Sequence, residues 1–140
     1  MTFATEYLET NILTATPHQL HLMVIDGAIR HSTAAEGALR SGDFAPARMQ
    51  LTRANQFVAE LIAGLDSARQ PHVVDRLKSV FAYVQRTLAE AERKHDPQPV
   101  ADALAVLRLH RRTWLALGEK LAQEAAEHCP RPHAGFSWTT

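Results

Sequence analysis

An all-α fold, an antiparallel up-down four-helix bundle with a short mobile N-terminal element, is predicted by three features of the chain. Apolar residues recur every three or four positions through four long stretches, the period of a helix with one buried face. Glycine and proline, 6 and 7 residues in all, cluster between those stretches. No stretch of any length alternates with the two-residue period of a strand. Amphipathic helices joined by short loops bury their apolar faces most directly by packing up and down around one core.

The elements follow in order. Residues 1–15 form the N-terminal element, which covers the bundle. Thr16-Pro17-His18-Gln19 opens the first helix: Thr16 suits the N-cap, Pro17 the first helical position, and Gln19 completes a capping box. Ser41-Gly42-Asp43 stops that helix near Arg40, and Asp43 is expected to cap the second, with Pro46 in its tolerant first turn. Leu51, Ala54, Val58, Leu61 and Leu65 form the second helix's core stripe. The segment from Asp66 to Pro71 reads as a loop. Val73, Leu77, Val80, Val84, Leu88 and Ala91 are the stripe of the third helix, which breaks at His95-Asp96-Pro97. Asp96 caps the fourth, whose stripe is Val100, Ala103, Leu107, Trp114, Leu117 and Leu121. The bundle spans 16–127, and residues 128–140, with two prolines and no period, form a flexible tail.

The 140 residues suffice for one domain. A chain of this size buries roughly two-thirds of its unfolded surface, enough for a core without staples. A single cysteine, Cys129, excludes an internal disulfide framework and suits a reducing compartment. The 15 basic and 15 acidic side chains cancel, which speaks against nucleic-acid binding. The first residues lack the basic run and apolar stretch of a secretory signal, and no window is apolar enough to span a membrane. A cytoplasmic protein without membrane insertion is expected.

The first helix carries more apolar surface than one core-facing stripe requires. Leu20, Met23, Val24, Gly27, Ala34 and Ala38 form one stripe, and Leu22, Ile25 and Ile29 form another on a neighbouring face. The surplus needs a cover. Tyr7, Leu8, Ile12 and Leu13 of the N-terminal element could supply it, or another molecule, or each in turn; a central position in the core is the plainer account.

Chemistry-bearing constellations are sparse. His18 and His21 share the first turns of a helix but lack a nearby carboxylate or thiol to make a metal site. Glu92-Arg-Lys-His95 has the spacing of a di-iron ligand pair without the second copy such a site needs. Cys129 has no resolving cysteine, and His128 beside it is badly placed to act as its base. Arg108, Arg111 and Arg112 form a basic spot on the fourth helix. No phosphate loop, nucleophile elbow or paired-acid motif occurs. Neither an enzyme nor a cofactor or metal is expected.

The order of these motifs resembles the flagellar secretion chaperone family FliS, from Tyr7 to about Trp114. The resemblance rests on Thr14-Ala15-Thr16-Pro17-His18-Gln19-Leu20, then Leu22-Met23-Val24-Ile25, then Asp26-Gly27-Ala28-Ile29-Arg30. It continues through Arg53-Ala54-Asn55, Glu60-Leu61, Leu65-Asp66, Leu77, Phe81, Tyr83 and Trp114. The chain departs from the family at Ile25 and His31, where aromatic residues are usual, and at Ser67–Pro71, where glycines are. The resemblance implies a chaperone that binds the C-terminal, helix-forming region of flagellin, prevents premature polymerisation and delivers it to the flagellar type III export gate. It also raises a co-chaperone or regulator as a further partner, and a homodimer. Leu22, Ile25 and Ile29 are then the expected client contacts, with Phe81 and Tyr83 next, and Tyr7, Leu8, Ile12 and Leu13 the displaceable cover. A competing reading is a histidine phosphotransfer bundle, for which His31-Ser-Thr-Ala-Ala and His110-Arg-Arg-Thr lack the usual small-residue context.

Overall fold

The computed structural model describes residues 16–65 and 71–128. They form four helices: α1 (Pro17–Arg40), α2 (Phe44–Gly64), α3 (Pro71–Lys94) and α4 (Pro97–His128). There is no strand among the described residues. Each helix packs on two others: α1 on α2 and α4, and α3 on α2 and α4. Sequential neighbours run antiparallel. Phe44, opening α2, lies 4.2 Å from His95, which follows α3. Trp114, late in α4, bonds to His18 at the start of α1.

Local chemistry sets the ends. At α1 the Thr16 hydroxyl accepts from the Gln19 N–H (3.1 Å), and the Gln19 side chain accepts from the Thr16 N–H (2.9 Å), a complete capping box. Asp96 accepts from the Gln98 N–H at 3.0 Å and caps α4. Asp43 departs from expectation: it occupies the N-cap of α2, but at ψ 78° its side chain makes no capping bond. Both tight turns use a left-handed residue. Gly42 has φ +77°, and Asp43 N–H bonds back to Ala38 O at 2.9 Å; His95 has φ +53°, and Asp96 N–H bonds back to Ala91 O at 3.2 Å.

The core confirms the second stripe and shifts two others. Leu51, Ala54, Val58, Leu61 and Leu65 are all buried, as expected. In α1 the buried line is Ile25, Ala28, Ser32, Ala35 and Leu39, with Gly27 beside it, and it runs between the two stripes read from sequence. Four of these side chains are small or polar, so hydrophobicity alone understates them. Small residues let α1 and α2 approach closely: a Cβ on Gly27 would come within 2.6 Å of the Phe57 ring. In α3 the first half turns by one position. Val74 and Phe81 are buried, whereas Val73 and Val80 are exposed. Val84, Leu88 and Ala91 are core as expected. In α4, Val100, Ala103 and Leu107 are core, but Leu117 and Leu121 are exposed. Leu117 faces outward at the level of the first turn of α1, and Leu121 continues the stripe past it, where the described residues offer α4 little to pack on.

Candidate functional site

The seam between α1 and α4 holds a cluster of rings. His18 stacks on Trp114 with centroids 5.0 Å apart and planes 9° from parallel. The same two residues exchange polar contacts: Trp114 Nε1–H donates to His18 O (3.0 Å), and His18 Nε2 lies 2.8 Å from Trp114 O. A Cβ on Gly118 would collide with the His18 ring, so glycine is what allows the imidazole to lie against α4. One turn further, His21 Nε2 meets His110 Nε2 at 2.9 Å, and Phe81 packs edge-on against His110 at 4.9 Å. Burial, then the proximity of His110, then that of His18 push the His21 pKa from 6.5 down to about 4. Burial also lowers that of His110. Beyond them, Arg111 Nε–H donates to Asp26 Oδ1 at 2.6 Å. No group of three or more His, Cys, Asp or Glu side chains among the described residues is placed to hold a metal ion.

The His18–His21 pair thus faces α4 as ring partner and hydrogen-bond partner. Its counterpart is His110 with Trp114, four residues on. Each pair shares a helical face by spacing, and that was the signal available in the sequence. Neither histidine weighed for phosphotransfer is exposed: His110 is buried, and His31 is half-buried with Nδ1 on Gln50 Oε1 at 2.7 Å.

Exposed apolar side chains concentrate elsewhere. On α3 they are Val73, Val80 and Tyr83; on α4 they are Leu109, Leu117 and Leu121, the last three between 40% and 56% exposed. Steps of seven and three along α3, and of four between Leu117 and Leu121, keep these along one side of each helix, whereas Leu109, eight residues before Leu117, stands further round α4. The Phe81–His110 contact fixes the register of the antiparallel pair. It brings Tyr83 to about the level of Arg108, and Val73 to about that of Gly118. The two ridges therefore border one seam. Its far end adjoins a groove of about 520 Å³ between α1 and α4, lined by Thr16, His18, Leu22, Leu115, Gly118 and Leu121.

The expected client contacts divide. Tyr83 is 43% exposed and lies on the α3 ridge. Leu22 is half-buried and lines the groove. Ile29 is half-buried against the core. Ile25 and Phe81 are 0% exposed, and as surface contacts they are corrected: Ile25 heads the buried line of α1, and Phe81 is the largest fully buried side chain. Val73, Val80, Leu117 and Leu121 were read as core and are the surface residues that the stripe patterns concealed. Tyr7, Leu8, Ile12 and Leu13 lie outside the described residues.

The model of the family described as flagellar protein FliS matches residues 2–121. The flagellar secretion chaperone FliS of Salmonella typhimurium is 27% identical over 119 residues, 84% of this chain and 88% of the relative. The protein of the same name from Vibrio cholerae is 21% identical over 107 residues, 76% of this chain and 79% of the relative. With a match that runs from the N-terminal element into the overhanging end of α4, the chain belongs to the FliS family of flagellar proteins.

Proposed function

We propose that this chaperone binds the C-terminal helical region of flagellin, keeps it from polymerising early and hands it to the flagellar type III export apparatus in the cytoplasm. The observation that carries the reading is the exposed ridge pair of α3 and α4. Val73, Val80, Tyr83, Leu117 and Leu121 offer a long apolar seam, with the exposed Arg76 and Lys120 beside it. An amphipathic helix laid into such a seam buries its own apolar face, the helix-in-groove mode of recognition. Tyr83 suits the rim, since its ring supplies area while its hydroxyl stays in water. Leu22 extends the surface around the end of α1, while Ile29 is half-buried against the core. Binding of this kind needs no nucleotide and no cofactor.

An uncovered seam of this length would favour self-association, including homodimers. Residues 1–15 supply a cover in this reading. The described chain enters at Thr16, on the rim of the α1–α4 groove, so Tyr7, Leu8, Ile12 and Leu13 are within reach of it. Client binding displaces them, and the lost contacts lower the net affinity enough for later release.

Size-exclusion chromatography of the protein with a flagellin C-terminal fragment tests the reading. A one-to-one complex is expected, weakened at least tenfold by a Tyr83→Ser, Leu117→Ser double substitution that leaves the helical signal intact. A fragment that elutes separately from the unaltered protein would overturn it.

A further inference from the structure

The His21–His110 contact is sensitive to the number of protons in it. Two imidazole nitrogens 2.9 Å apart require one N–H and one lone pair. One added proton can sit on Nδ1 of the donor ring and leave this bond in place, but once both rings are protonated N–H groups stand on both facing nitrogens, no acceptor remains and two like charges meet. Both rings are packed on neighbours: His110 is buried against Phe81, and the half-buried His21 lies 4.1 Å from Trp114.

We propose that the His21–His110 pair is a proton-operated latch that holds the first two turns of α1 on α4 and releases them in mild acid. The surroundings favour this over simple accommodation of the charge. From α1 the pair is faced by His18, a third titratable imidazole, and from α3 by the uncharged Phe81. The nearest carboxylate along the seam, Asp26, is engaged by Arg111 at 2.6 Å. α2 packs on α1 and α3, across the bundle from α4. Among the described residues the second proton therefore meets no free counter-charge that would hold it in place, and the seam opens instead. The reciprocal contacts of His18 with Trp114 sit on the same turns and part with it.

Opening acts on the proposed docking surface, because Leu22, Leu115 and Leu121 line the groove that these turns close. The latch regulates that surface in the chaperone reading. It is tested on the protein alone, so its failure is distinct from a failure to bind client.

Trp114 is the reporter. In a Trp138→Phe background it is the sole tryptophan. Its emission, followed from neutral pH to pH 4 beside far-ultraviolet circular dichroism, is expected to shift with a midpoint between pH 4 and 6.5 while helicity is retained. His21→Gln keeps an acceptor for His110 and cannot titrate, so the shift should vanish. His110→Gln provides the same test from the other side if the first variant folds poorly. The latch is overturned if the transition persists unchanged in a folded variant, if no transition occurs above pH 4, or if helicity falls in step with the emission.

Discussion

Single residues decide how closely these helices approach, and two of them carry sharp expectations. Ser32 is fully buried on the core line of α1, and its hydroxyl has no hydrogen-bond partner. An unsatisfied buried hydroxyl costs about 1–3 kcal/mol. Ser32→Ala should therefore stabilise the protein by about 1 kcal/mol, read as a raised midpoint in urea unfolding. Gly118 makes the opposite case. A Cβ there displaces the His18 ring, costing its stack on Trp114 and its polar contact with Trp114 O. Alanine's better helix propensity recovers about 1 kcal/mol of that, so Gly118→Ala should lose a net of about 1–2 kcal/mol in the same measurement. Neither effect is visible in the sequence. A serine within an apolar helix and a glycine within another look like neutral helix residues until their neighbours across the seam are known.

Among the elements, the pairing of α1 with α4 is the one that titrates. His21 and His110 both have lowered pKa values in the folded protein, by burial first. A lowered histidine pKa means that folding favours the neutral ring. Its contribution is fully present above the unfolded value of 6.5 and is lost as pH falls from there towards about 4. After allowance for solvent screening at the half-exposed His21, stability should drop by roughly 1–2 kcal/mol between about pH 7 and pH 4.5. His21→Gln should flatten that slope in urea titrations. The element scale is also where sequence reading succeeded most. Capping and breaking residues such as Thr16, Gly42, Asp96 and Pro97 act within one turn of the chain, so they fixed every helix in the right place. Which face turned inward was less legible. In α3, Val73 with Val80 and Val74 with Phe81 are two stripes of equal spacing, and the buried one contains the larger ring. Spacing cannot choose between them; volume inside a closed core does. That is why Phe81 was expected at the surface and Val80 in the core. In α4 the stripe outlasts its partners, so the same periodicity that means core at Leu107 means open surface at Leu121.

At the scale of the whole molecule, the bundle is asymmetric end to end. One pole is closed by two tight turns, Ser41–Asp43 and His95–Asp96, locked by Phe44 on His95 and the Arg48–Glu92 contact at 3.7 Å. The other holds the start of α1, the α1–α4 groove and the overhang of α4. If residues 1–13 cover the seam, removing them should tighten flagellin-fragment binding severalfold in calorimetry and increase self-association of the free protein on a sizing column; unchanged affinity and elution would remove the cover from the mechanism. The overhang has a further consequence. A 32-residue helix is about 48 Å long against about 36 Å for the 24 residues of α1, so α4 outreaches its partner by some two turns. Anything fused to the chain after His128 emerges at the pole bearing the groove, where it would compete for space with client and cover alike. A label meant to watch the chaperone without obstructing it belongs at the opposite pole, on the exposed Ser41 rather than on its neighbour Gly42, whose φ of +77° strains any side chain placed there.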